Sequence, residues 1–102
     1  MPPMAEQDRL LMDAMISRIK SRIEQNTFLP EGLSGDLRTE IQIYLLPTGE
    51  VLSTTIVRSR GNRAYDDAVL RGIYNSAPLP MPTDPVLIRE FLTLRLPFTS
   101  KG

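Results

Sequence analysis

The sequence contains no cysteine and no histidine, and its twelve basic residues are balanced by twelve acidic ones across 102 positions. Each absence excludes a class of chemistry. Without cysteine there is no disulfide, no thiolate nucleophile and no thiolate metal site. Without histidine a Ser-His or Cys-His pair is impossible, and zinc would be left with carboxylates alone. Zero net charge argues against nucleic-acid binding, whose affinity comes largely from neutralising phosphates. No apolar run approaches the ~20 residues that a membrane span needs, and no secretory signal pattern opens the chain. A chain of this length fits one domain, with a core large enough to fold without staples.

What is present is short and regularly patterned. Residues 1–7 carry two prolines and no periodicity, and read as a linker. From Asp8 to Gln25 the residues Met12, Met15, Ile16, Ile19 and Ile23 recur at helical spacing. Asp8 is the expected N-cap, Lys20 and Arg22 suit the negative end of the helix dipole, and Asn26 and Pro30 are stop signals. Leu37, Thr39, Ile41, Ile43 and Leu45 then alternate with Arg38, Glu40, Gln42 and Tyr44, the signature of a half-buried strand. Pro47-Thr48-Gly49 turns the chain, with Gly49 supplying a positive φ, and Val51 to Arg58 returns as a second strand. Its inward face is ambiguous: Val51 and Val57 share one parity, Leu52 and Ile56 the other. A bulge in the middle would let Val51 and Ile56 both point inward.

Asn62 is a good N-cap for a second helix, Asn62 to Asn75, whose apolar face is Tyr65, Ala68, Val69, Gly72 and Ile73. Gly72 costs roughly 1 kcal/mol of helix propensity against alanine, so a close approach of helix to sheet is expected there. Prolines at 78, 80, 82 and 85 favour an extended strap without regular structure. Leu92, Leu94, Leu96 and Phe98 alternate with Phe91, Thr93, Arg95 and Pro97 in a final strand, and residues 99–102 read as a flexible tail. The expected fold is α+β, a two-layer helix–strand–strand–helix–strand domain over residues 8–98. Its three-stranded antiparallel sheet packs against two helices.

No constellation for catalysis, cofactor or metal emerges. Asp66-Asp67 is the only adjacent carboxylate pair, and neighbours on a helix point about 100° apart; helix-start electrostatics accounts for them. The glycines match no phosphate-binding loop, and the serines lack a histidine. Arg58, Arg60, Arg63 and Arg71 cluster around the second helix, either as a solvated face or as a docking patch for an acidic partner. The proline strap is either a stiff connection or a ligand for a proline-recognising domain. A three-stranded sheet has two edges, which either carry blunting residues such as Arg89, Glu90, Arg95 and Pro97 or receive an extended partner segment.

The order of these segments resembles the C-terminal domain of the TolA family and its TonB relatives. The hairpin glycine is Gly49, the corner is Ser59-Arg60-Gly61, and the helix opening is Asp66-Asp67-Ala68-Val69. Pro78-Leu79-Pro80-Met81-Pro82 resembles the strap of the TolA side, and Phe91 to Phe98 its last strand. Arg60 departs from the second corner serine, and Asn26-Thr27-Phe28 stands where many relatives have tryptophan. A Tyr-Pro pair frequent after the first helix of TonB-like domains is absent, which favours TolA.

The resemblance implies a non-enzymatic periplasmic domain of an inner-membrane-anchored protein in the Tol–Pal system, transmitting force during outer-membrane constriction. Its partners would be TolB and Pal, with colicin-like bacteriocins and filamentous phage coat protein as exploiters. An isolated domain would be a monomer. A partner strand would add to the last strand, with Arg89, Phe91, Leu92, Thr93, Leu94, Arg95 and Leu96 as the binding residues. Phe91 and Arg95 would tune the partner, and proline at Thr93 would abolish binding if that N–H faces outward. The alternatives are a TonB-type domain engaging outer-membrane transporters and, more distantly, a small nucleic-acid-binding module. The latter is opposed by the charge balance and the missing Gly-x-x-Gly clamp.

Overall fold

The alternation from Leu37 to Leu45 forms the middle strand of the sheet. A computed structural model describes residues 5–100. Its elements are α1 (Glu6–Gln25), β1 (Arg38–Leu45), β2 (Val51–Ser59), α2 (Arg63–Ser76), α3 (Pro85–Phe91) and β3 (Thr93–Thr99). The strand order is β2-β1-β3, antiparallel throughout. Leu37, Thr39, Ile41, Ile43 and Leu45 are buried on one face, and Leu94, Leu96 and Phe98 of β3 share it by register. Ile19 and Ile23 of α1 and Tyr65, Val69 and Ile73 of α2 complete the same core. The α+β two-layer arrangement expected from the periodicities is present, with a third, short helix added.

α1 begins earlier than Asp8. Ala5 stands at its N-cap without a side-chain cap, and Asp8 lies inside the first turn, where negative charge still favours the dipole. Glu6 and Gln7 of the stretch read as a linker thus stand in the helix, with Ala5 at its cap; residues 1–4, the rest of that stretch, lie outside the described residues. The helix ends at Gln25, and the Asn26 side chain donates to the Arg22 carbonyl at 2.8 Å. Arg22 stands in the last turn of α1, as expected, and its guanidinium also reaches a second helix end. Its Nε donates to the Ser76 carbonyl at the end of α2, 2.9 Å away.

α2 is capped by Asn62, whose Oδ1 accepts from the Tyr65 amide at 2.9 Å. Gly72 does permit a close approach, though not to the sheet. A Cβ there would lie 3.1 Å from Thr27 Cα, so the glycine lets α2 press against the chain leaving α1.

The parity question in β2 is answered by two bulges. Leu45 pairs with Val51 and Tyr44 with Ser53, which leaves Leu52 extra; Ile41 pairs with Ile56 and Glu40 with Arg58, which leaves Val57 extra. The bulge at Leu52, near the strand start rather than its middle, puts Val51, Thr54 and Ile56 on the core face opposite Leu45, Ile43 and Ile41.

The strap holds the hairpin. The Leu79 amide donates to the Gly49 carbonyl at 2.8 Å, and a Cβ on Gly49 would lie 3.1 Å from the Leu79 carbonyl carbon and nearer still to its oxygen. Gly49 also has φ +93, as the tight turn requires. The fourth proline does not extend the strap. Pro85 opens α3, behind Asp84, whose carboxylate accepts from the Val86 amide at 2.9 Å. Proline at the first helical position lacks a donor that would be unsatisfied anyway, and Leu87 and Phe91, four apart, bury one face. Arg89 and Phe91 thus stand in a helix, and Leu92 is its C-cap; β3 starts only at Thr93. The expected fraying tail is also held at its start, since the Ser100 amide donates to the Leu37 carbonyl at 3.0 Å and its hydroxyl to the Gly35 carbonyl at 3.2 Å.

Gly49 and Gly61 share positive φ, but nothing lies within 4 Å of a Cβ at Gly61. Gly49→Ala is therefore expected to cost about 2–4 kcal/mol, strain plus overlap, and Gly61→Ala only about 1 kcal/mol. Urea unfolding of both variants measures the difference, and equal losses would show that the strap contact adds nothing.

Candidate protein-binding edge

The hydrogen-bond phase of β3 determines what its free edge offers. The Leu45 amide donates to the Leu92 carbonyl at 2.8 Å, and the Ser100 amide donates to the Leu37 carbonyl. In an antiparallel ladder such pairs recur every second residue, so Leu94, Leu96 and Phe98 direct their main-chain groups to β1. Thr93, Arg95 and Pro97 consequently direct theirs away from the sheet. Two N–H donors, of Thr93 and Arg95, alternate with carbonyls along this edge. Pro97 falls where its missing N–H costs the β1 ladder nothing.

β2, the other edge, is less regular. Its two bulges interrupt the repeat of outward groups, and bulges are one way in which edges resist pairing. It nevertheless leaves Leu52 65% and Ile56 40% exposed.

The residues expected to bind a partner divide three ways. Thr93 and Arg95 lie on β3 with exposed side chains and outward main-chain groups. Leu94 and Leu96 are on the strand, but their side chains are buried and their main chain is paired to β1. Arg89 and Phe91 leave the edge altogether, and Leu92, the C-cap of α3, turns its carbonyl inward to the Leu45 amide. Phe91 is fully buried, so it cannot select a partner by contact. The sequence signal that could have shown this is Asp84-Pro85, an N-cap followed by proline, with Leu87 and Phe91 at helical spacing.

Arg95 does not project freely. Its Nε lies 3.4 Å from Glu40 Oε2, and its Nη2 donates to Gln42 Oε1 at 3.3 Å. The Gln42 amide in turn donates to the Tyr44 hydroxyl. This polar row lies on the helix-free face of the sheet and ties the edge strand to the central one.

Asp66 has a structural place that its sequence position did not reveal. Only 7% exposed, it accepts from the Ser59 hydroxyl through Oδ2, while Ser59 Oγ accepts from the Gly61 amide at 2.9 Å. The carboxylate thereby fastens the corner between β2 and α2. Asp67 beside it is exposed. Among the described residues no three acidic side chains gather where a metal ion could sit, and no helix is long and apolar enough to cross a membrane.

A small hollow of about 140 Å³ adjoins the C-terminal end of β3, walled by Leu29, Tyr65, Val69 and Phe98. Burial pushes the Tyr65 phenol above its ordinary pKa, and the Glu24 and Asp66 carboxylates push it the same way.

A family model described as "TonB C terminal" matches residues 12–96. The chain belongs to the TonB C-terminal family. Among solved structures of this fold, TolAIII bound to a peptide derived from the N-terminus of TolB aligns with a TM-score of 0.71 at 18% identity, covering 82% of this chain and 70% of that one. The Helicobacter pylori TonB C-terminal domain aligns at 0.65 and 17% identity, covering 85% and 92%. A TolA C-terminal domain, studied for the importance of its hydrophobic cavity, aligns at 0.66 and 19% identity, covering 93% and 97%. Among curated proteins, none matches the chain significantly. The TolA/TonB fold is thus shared by this family member, with TolA and TonB domains alike.

Two outcomes follow from the site. Phe91→Ala should lower stability by about 3–5 kcal/mol, as truncation of a buried aromatic does, which urea unfolding measures. Tyr65 should make stability fall at alkaline pH. Below about pH 10 the phenol is protonated in both states; above it the unfolded chain ionises first, so stability is lost as pH rises toward the raised folded value. Melting temperature against pH for Tyr65→Phe tests this, and an unchanged alkaline slope would remove Tyr65 as its cause.

Proposed function

We propose that the chain is a non-enzymatic interaction domain that takes an extended partner segment as a fourth strand along β3. The observation carrying this reading is the unbroken edge of β3, where Thr93 and Arg95 offer outward N–H groups while β2 is bulged twice. Main-chain pairing supplies affinity with little demand on side chains, and alternate side chains of the added strand supply selectivity. Force applied along such a strand is shared over several parallel hydrogen bonds, so the domain transmits load without chemistry.

The family and fold support a setting in the bacterial envelope, and the Pro78–Pro82 strap favours the TolA type. On that reading the domain is periplasmic, anchored to the inner membrane by a segment outside these residues, and works in the Tol–Pal system with TolB and Pal as natural partners. Colicin-like bacteriocins and filamentous phage coat proteins would use the same edge. The TonB-type alternative keeps the edge and changes the client to outer-membrane transporters. It is favoured by the family match over residues 12–96.

Proline at Thr93 is not the best probe of this edge. Leu92 has helical φ and ψ of −69° and −21°, a conformation disfavoured before proline, so that variant strains the fold. Arg95→Pro removes an outward donor behind a residue in strand conformation, and Arg95→Thr controls for the lost side chain. Arg95→Pro should weaken binding of a TolB N-terminal peptide by at least about tenfold relative to Arg95→Thr, read by NMR titration. Unchanged affinity in a folded Arg95→Pro variant excludes β3 as the receiving edge. Binding of a transporter box peptide in place of the TolB peptide moves the assignment to the TonB type.

A further inference from the structure

The three strand ends farthest from the hairpin turn open onto a cleft of about 610 Å³, within the range of ligand-binding clefts. Its wall brings together Lys20 of α1, Arg38 of β1, Arg58 and Arg60 from the end of β2, with Glu40 as the one acidic residue. The charges are not self-compensated. Asp36, beside the cleft, lies 3.5 Å from Arg38 and 3.6 Å from Arg60, and Glu40 is engaged by Arg95. Among the described residues Lys20 and Arg58 have no carboxylate within ion-pair distance; Glu40 stands opposite Arg58 in the register, but its carboxylate is turned to Arg95. Two cations outside any close ion pair thus line one concavity in a chain of zero net charge.

We infer that this cleft holds an acidic segment of the partner polypeptide, with carboxylates paired to Arg58 and Lys20. The proposal rests on the reading of the chain as an interaction domain, but not on the choice of β3 as its edge. Charge complementarity commits it to a carboxylate-bearing peptide. Arg58 offers planar, paired donors that match a carboxylate, and Lys20 is half-buried, where an ion pair is screened less than at the open surface. Pro97 also lines the cleft, so it runs into the outward side of β3. A segment continuing beyond a strand paired at Thr93 and Arg95 would cross the strand ends and enter it. A nucleic acid is the weaker fit, because its affinity needs many phosphate contacts and the chain has no net positive charge to supply them.

The test uses a capped peptide of about ten residues alternating valine with glutamate, and its counterpart with glutamine at every glutamate. NMR titration of the isotope-labelled domain should show the acidic peptide shifting amides of residues 38–40 and 58–60. Its affinity should fall about tenfold in Lys20→Gln/Arg58→Gln and fall again with added salt, while the glutamine peptide responds to neither. If the double variant fails to fold, Arg58→Gln, which alters only an exposed side chain, carries the comparison. Equal affinity for the two peptides, salt-independent binding, or tighter binding of oligothymidylate than of the acidic peptide would each overturn the proposal. Repeating the titration on Arg95→Pro against Arg95→Thr, which releases Glu40 equally, separates the two readings. Retained shifts at 38–40 and 58–60 support the cleft while the β3 edge fails; shifts confined to Thr93–Pro97 in the unmodified domain support the edge and overturn the cleft.

Discussion

Everything in this domain depends on β1 being paired on both sides while only one of its faces is covered. Leu37, Thr39, Ile41, Ile43 and Leu45 are buried beneath α1 and α2, and the main chain between them is used up by β2 and β3. A strand whose two sides are saturated cannot pair with a further strand, so unpaired main-chain groups remain only at the edges. Covering one face with helices also leaves the other as a polar row, in which Glu40 and Gln42 hold Arg95 and Tyr44 accepts from Gln42. The central strand therefore supports the core, sets the phase of the edge and anchors the edge's charged side chain.

The two edges differ because of how each strand returns to β1. β2 follows a tight hairpin locked by Gly49 and Leu79, and it accommodates the twist with extra residues at Leu52 and Val57. β3 arrives from α3 and runs in unbroken register over seven residues. Its proline sits on the outward side, where it removes one donor without weakening the ladder. The distribution of irregularity thus creates one ragged edge and one regular edge in a sheet of only three strands.

Much of the fold was legible in the sequence. The alternation of β1 is uninterrupted, Asn62 caps α2 as its side chain suggests, and Gly49 adopts the positive φ that the turn demands. Legibility failed where two patterns overlapped. Phe91 adjoins the alternation of β3, on its outward phase, and also stands four residues from Leu87; it is buried in the core as part of the helix. Gly72 announced a close approach, but the neighbour proved to be Thr27 rather than the sheet. Arg22 sits in the last turn of α1 as its charge suggests, and packing also brings it to the Ser76 carbonyl at the end of α2, which its spacing could not show. Of the binding residues that the family resemblance implied, Thr93 and Arg95 keep outward main-chain groups, because their phase follows from β1 pairing.

By itself the sequence determined the periodicities, the caps and the turn, and with them the α+β layering. These depend on dihedral preferences and on neighbours a few residues away. Only the tertiary structure decided which strand edge stays regular, that Asp66 is buried to fasten the Ser59 corner, and that Lys20 meets Arg58 in one cleft. Those features depend on which distant segment arrives alongside, at distances that no local pattern encodes. A residue's own spacing says which way it faces; the packing of the whole chain says what it meets there.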